Sequence, residues 1–161
     1  MSSPAPNTPV SSIAPLSAYD ASQPMAWQHF TGSARFDYPI DYWFAVLGYD
    51  RASGRMDFLS KWAPNSYCHY HRHLGPMSVL VLEGEQHIVE TSAHETVHKV
   101  RRAGFFTRSP GGDVHMERGG PAGAVVLFMC QAVDGKLFEV LDRDDNVIAT
   151  ATIDSMLGES R

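Results

Sequence analysis

Cysteine is scarce in this chain: 161 residues hold only Cys68 and Cys130, far apart and without CxxC spacing. A disulfide scaffold and a zinc finger are thereby excluded as the organising device. Out of phase with the nearby histidines, Cys68 is expected to face away from them as packing. Positive charge is also short. Lys plus Arg number 13 against 18 Asp plus Glu, a net charge of -5, and Arg101-Arg102 is the only basic doublet. Phosphate binding wants a basic stripe, so no nucleic-acid partner is expected. No apolar run approaches the roughly 18 residues of a membrane helix, and the first residues lack the basic-then-apolar pattern of a secretory signal. The default expectation is a cytoplasmic protein with no membrane partner. Apolar periodicity of helical length is missing too, and no internal repeat stands out beyond a rhythm of strands and turns.

What the chain does have is aromatic and histidine-rich. Pro4, Pro6, Pro9, Pro15 and Pro24 punctuate a small-residue stretch, so residues 1–24 read as a flexible arm. Trp27, Phe30, Phe36, Tyr38, Tyr42, Trp43 and Phe44 then crowd together, as suits a pleated surface. The folded domain is placed at 25–155, with 156–161 a short tail that forms a helix or frays. Strands are expected over Tyr42–Tyr49, Met56–Trp62, Met77–Leu82, Glu85–Thr91, Gly104–Arg108, Val114–Glu117, Ala124–Cys130, Leu137–Leu141 and Val147–Ile153. Ala93–Arg102 is ambiguous, with strand preferred over helix. Turns are expected at Asp50–Gly54, Glu83–Glu85, Ser109–Asp113, Gly119–Pro121 and Arg143–Asn146. Many short strands punctuated by Gly and Pro imply an all-β, single-domain barrel or sandwich.

His69, His71 and His73 sit at alternate positions. On a strand they would share one face, and neutral imidazole is the commonest protein metal ligand. Histidines two apart are separated by roughly 7 Å of backbone, so a neighbouring pair can converge on one ion, but the ends of the row cannot without a bend. A third ligand must come from elsewhere. His115, just after a Pro-Gly-Gly turn, is the leading candidate. His29, His87, His94 and His98 have no spacing support and read as structural or surface residues.

Around the histidine row the spacing is Asn65, five residues, His71-Arg72-His73, three residues, Met77, six residues, Gly84. Further on it is Gly104, five residues, Pro110-Gly111-Gly112, two residues, His115, three residues, Gly119. These stretches resemble the two motifs of the cupins. Asn65 replaces a glycine, which Asn can do because it tolerates left-handed backbone angles. Gly119 replaces an asparagine. The larger departure is the motif glutamate, whose place is taken by Met77 or Ser78. The resemblance covers about residues 42–153 and implies a jelly-roll-like β-barrel with metal ligands His71, His73 and His115 and no carboxylate. His69, Met77, Ser78, Glu117 and Arg108 are the pocket or supporting candidates. Glu117 shares the parity of His115 and could orient a ligand.

Within the cupins, the run His71-Arg72-His73-Leu74-Gly75-Pro76 is similar to that of the small dioxygenases that cleave acetylacetone and dihydroxyacetophenone. Asp144-Asp145-Asn146-Val147-Ile148-Ala149 is similar to a C-terminal segment of the acetylacetone type. The resemblance implies Fe(II), with Zn, Ni or Mn as alternatives, since imidazole suits several ions. It further implies a ketone substrate bound as its enolate, O2 as co-substrate, C–C cleavage, and a homodimer. Two other classes stay open: a cupin that binds a metal or small ligand without turnover, and a metal-dependent isomerase, lyase or hydrolase.

Overall fold

Alternation of apolar and polar residues governs this chain, and the computed structural model, which describes residues 25–91 and 95–159, is accordingly almost all strand. The strands are β1 (Gln28–Thr31), β2 (Asp41–Asp50), β3 (Arg55–Trp62), β4 (His71–His73), β5 (Met77–Thr91), β6 (Thr96–Arg102), β7 (Phe106–Ser109), β8 (Val114–Gln131), β9 (Lys136–Leu141) and β10 (Val147–Thr152). One helical turn, α1 (Ile153–Met156), follows, capped reciprocally by Thr152 and Ser155. Residues 1–24, expected as an arm, and Ala93, where the ambiguous segment begins, lie outside the described residues, as do residues 160 and 161 of the expected tail. Within the ambiguous segment, β6 confirms strand over helix.

The sheet curls into a half-barrel along the order β1-β2-β3-β8-β4-β9-β10, with β5 also pairing β6, β7 and β8. All the named strand pairs are antiparallel. The inward face carries the core. Met56, Phe58 and Trp62 of β3, Val79 and Val81 of β5, and Ala124, Val126 and Phe128 of β8 are buried in one cluster. Phe58 and Phe128 stack 5.2 Å apart at its centre.

Two expected turns are not turns. Glu83–Glu85 was to end one strand and Gly119–Pro121 another, yet β5 and β8 run straight through them. Both signals belong to one bulged crossing. The β5–β8 register shifts between Val81 and Glu83 and again between Gly84 and Gln86. Gly84 there has φ +68°, and a Cβ on it would lie 2.1 Å from the Gly123 carbonyl oxygen. The glycines let two strands touch and bend together, which is the bulge use of Gly and not the hairpin use. Beyond this crossing β8 changes neighbours. Its second half pairs β3 from Trp62↔Ala124 to Arg55↔Gln131, while its start pairs β4 at His71↔His115.

Candidate metal centre

That change of neighbours builds the site. β4 presents His71 and His73 on one face, and β8 places His115 directly opposite His71, with Glu117 two residues further along the same face. Asn65, at φ +57°, takes the left-handed conformation that a motif glycine would supply. The two motifs also touch through backbone. A Cβ on Gly111, at φ +91°, would lie 2.6 Å from the Gly75 carbonyl oxygen, and the Gly112 N–H donates to the His73 carbonyl at 2.7 Å. The Pro-Gly-Gly loop thus locks against the end of β4.

The donor atoms of His71, His73, His115 and Glu117 all lie within 4.8 Å of one another, and all four side chains are buried. The Nε2 atoms of His71 and His73 are 3.0 Å apart. Glu117 Oε2 is 3.5 Å from His71 Nε2, and its Oε1 is 3.9 Å from His115 Nε2. A carboxylate thus lies among the histidines, where the cupin resemblance implied none. The glutamate is supplied by the second motif's strand instead of the first motif's position. Met77 is buried in the core cluster, while Ser78 sits opposite Arg108 across β5–β7, both lining a shallow cleft away from the histidines. None of these three belongs to the group of donors.

A metal ion fits this group. Adjacent ligands with bonds of about 2.0–2.1 Å to one ion stand roughly 3.0–3.4 Å apart, close to the His71–His73 spacing. The His115 Nε2 atom is buried without a hydrogen-bond partner among the described residues, a costly arrangement unless an ion claims its lone pair. Tautomer supports the same role. His71 Nδ1 donates to the His69 carbonyl oxygen at 2.7 Å, leaving Nε2 as the free lone pair. Burial desolvates the charged forms: it lowers His71 to about 4 and His115 to about 2, and drives His73 well below the ordinary histidine range, with help from its neighbouring imidazoles. All three are therefore neutral near pH 7, as ligation requires. Burial also pushes Glu117 up to about 7, against the opposing pull of Arg101 and the Gln86 hydrogen bond.

Two supporting residues escaped the sequence reading. Gln86 is fully buried, and its Nε2 donates to Glu117 Oε1 at 2.7 Å. Its signal was a polar side chain at an inward position of an apolar strand. Cys68, expected to face away, lies with its Sγ 3.7 Å from His71 Nδ1 and 4.0 Å from Glu117 Oε2. Parity failed because β4 begins only at His71, so residues 68–70 do not alternate as a strand. The Cys68 thiol is pushed up by burial, then by Glu117, so it is an uncharged packing group. The His69 ring stands apart from the four donors. Its Nδ1 is 3.0 Å from the Tyr42 hydroxyl, and it lines the way out of the centre. Elsewhere, His29 stacks on Trp43, and His87 is buried against His98 and Glu85.

A family model, the ChrR cupin-like domain, matches residues 23–133. The chain belongs to that family. As a cupin it is similar in structure to an acetylacetone dioxygenase from Acinetobacter johnsonii, at 15% identity, TM-score 0.64, and coverage of 81% of this chain and 83% of that one. A proposed acetylacetone dioxygenase from Methylibium petroleiphilum matches at 15% identity and TM-score 0.65, covering 85% and 90% of the two chains. An RmlC-like cupin from Ralstonia eutropha matches at 18% identity and TM-score 0.64, covering 83% and 78%. At such identities the likeness shows the fold. No curated protein matches the chain in sequence. No helix among the described residues is long and apolar enough to cross a membrane.

The cupin's centre opens outward. Tyr42, Phe58, Ser60, His69, Phe138 and Val140 line both the small space beside the histidines and a larger cavity of about 480 Å³. Phe30, Phe36 and Phe44 extend its aromatic wall, and residues 148–151 of β10 close the far side.

Proposed function

We propose that this cupin is a metal-dependent dioxygenase, with iron(II) as its ion, that cleaves a carbon–carbon bond of a β-diketone or aryl hydroxyketone. The observation that carries the reading is a buried three-histidine, one-carboxylate group at the base of an apolar, aromatic cavity. Pockets of this size and lining suit small organic ligands. His71, His73, His115 and Glu117 would hold the ion. When bound, it supplies Lewis acidity toward an enolate and the redox chemistry that oxygen needs.

The chain's own residues do the rest. The His69 carbonyl fixes the His71 tautomer, and Gln86 aims the Glu117 carboxylate. Glu117 releases its proton to become a donor; burial holds it at about 7, so near neutral pH this is a proton that an exposed carboxyl would already have lost. Phe58, Phe128 and Phe138 exclude water from the histidines, which strengthens every polar interaction at the centre. Both oxygen atoms of O2 end in the products, a carboxylic acid and a carbonyl compound.

The fourth protein donor favours a second reading, a binding cupin without turnover. Four protein ligands close a tetrahedral ion such as zinc, as in structural sites, whereas a six-coordinate ion keeps open positions. Elemental analysis of protein purified without an affinity tag, followed by oxygen uptake on a ketone panel after anaerobic iron loading, separates the two. Iron content with ketone-dependent uptake is expected. Stoichiometric zinc with no uptake on any ketone would sink the dioxygenase reading.

A further inference from the structure

The cavity outside the metal centre carries two polar features that the ketone reading does not use. The first is Ser60. Along β3 the inward row is Met56, Phe58, Ser60 and Trp62, three large apolar side chains and one hydroxyl. Ser60 is 6% exposed, and no described residue hydrogen-bonds its Oγ, which is not among the atoms sealed from the cavity. It lines both the space beside the histidines and the larger cavity. A hydroxyl that lines both spaces is open to an oxygen-bearing ligand, as donor or acceptor.

The second is Arg35, in the turn after β1. It is the single charged side chain among the described residues lining the large cavity. Its guanidinium makes no side-chain hydrogen bond or ion pair with a described residue. The acid it influences, Asp142, is instead occupied with its own turn: its carboxylate accepts from the Asn146 side chain at 3.1 Å and from the backbone N–H groups of Asp144 and Asn146 at 2.9 Å each. Ser60, Phe58 and Phe138 also line the space beside the histidines, Arg35 does not, and Phe36 and Phe44 complete the aromatic wall of the cavity.

We propose that the cavity binds an aromatic keto acid: an oxygen-bearing end at Ser60 beside the four donors, an aryl ring among the phenylalanines, and a carboxylate at the far end on Arg35. With the hydroxyl on the side of the metal centre, the cation away from it and phenylalanines lining the same cavity, the features match an aryl ring that separates a carbonyl from a carboxylate. A neutral alkyl diketone would leave Arg35 unused. The proposal rests on the ketone reading in placing the oxygen-bearing end at the metal centre, but it concerns binding and does not require turnover.

The test compares two ligands on zinc-loaded protein, where no oxygen chemistry intervenes. They are 4-(acetoacetyl)benzoic acid and its methyl ester, with dissociation constants read by calorimetry. The acid is expected to bind about fivefold tighter than the ester, a modest factor because Arg35 is exposed and its attraction is screened. Arg35→Gln should erase that preference and leave the ester unchanged. Ser60→Ala should weaken both ligands by a similar factor, since it removes the hydroxyl they share. Equal binding of acid and ester to the wild type would overturn the proposal. So would a preference that survives Arg35→Gln, or no binding of either ligand. Oxygen uptake on neutral diketones without any acid preference would retire this inference and leave the dioxygenase reading standing. Acid preference without uptake would do the reverse.

Discussion

His71 and His69 divide their work between side chain and backbone. The His71 ring is aimed by the carbonyl oxygen of His69, not by its imidazole. An alanine at position 69 keeps that carbonyl. His69→Ala is therefore expected to retain full metal content, while His71→Ala, His73→Ala and His115→Ala each lose it, as read by elemental analysis of the folded variants. Metal loss in His69→Ala with retention in His73→Ala would show that the ligands lie one step back along the row. Alternation along a strand left any neighbouring pair of the row open, and it was the cupin resemblance, through the motif that ends at Gly84, that implied the three histidines the structure brings together. The carboxylate was legible only as parity. Glu117 was seen to share the face of His115, but nothing in the linear order says that β8 lies within 3.5 Å of His71. Gln86 offered only the hint of a polar side chain on an apolar strand, because its partner is 31 residues away.

At the scale of elements, β8 is the organising strand. It contributes His115 and Glu117 at one end and the core residues Val126 and Phe128 at the other. The loop before it fixes where His115 falls, through the contact of Gly111 with Gly75. Gly111→Ala combines a left-handed φ with a Cβ 2.6 Å from a backbone oxygen, whereas Gly112→Ala, at φ +90°, meets nothing within 4 Å. The first is expected to cost about 3 kcal/mol or more and the second only about 1 kcal/mol of conformational strain. Urea unfolding midpoints of the two variants check this, and equal losses would mean that the clash relaxes freely. Most strands were legible from alternation and turn residues. The interruptions placed at Glu83–Glu85 and Gly119–Pro121 were not, because glycine serves both a turn and a close approach of two backbones, and the local sequence is the same in either case.

For the whole molecule, four buried titratable groups at one centre set the pH response of the metal-free protein. The three histidines have folded pKa values depressed far below the unfolded value near 6.5. Below pH 6.5 the unfolded chain takes up protons that the folded one refuses, so stability is lost as pH falls. Glu117 acts oppositely. Its folded value of about 7 exceeds the unfolded value near 4.5, so its contribution is present below about 4.5 and is lost as pH rises to about 7. Three groups outweigh one, so the stability of the metal-free protein should rise as pH climbs from about 4.5 and level off above about 7, as read by thermal melts across pH. An ion needs Glu117 ionised, so the rise in melting temperature on adding zinc should be larger at pH 8 than at pH 6. A larger rise at pH 6 would remove Glu117 from the ligand set.

The sequence by itself determined the strand class, the cupin motifs and the three histidines. All of these are local patterns: a period of two along a strand, and glycines at fixed offsets. The tertiary structure alone decided that Glu117 joins the three histidines, that Cys68 and Gln86 flank the group, and that it opens into an aromatic cavity. Those facts depend on which strands become neighbours and how far they slide, and register between strands is set by long-range packing that no single stretch of chain encodes.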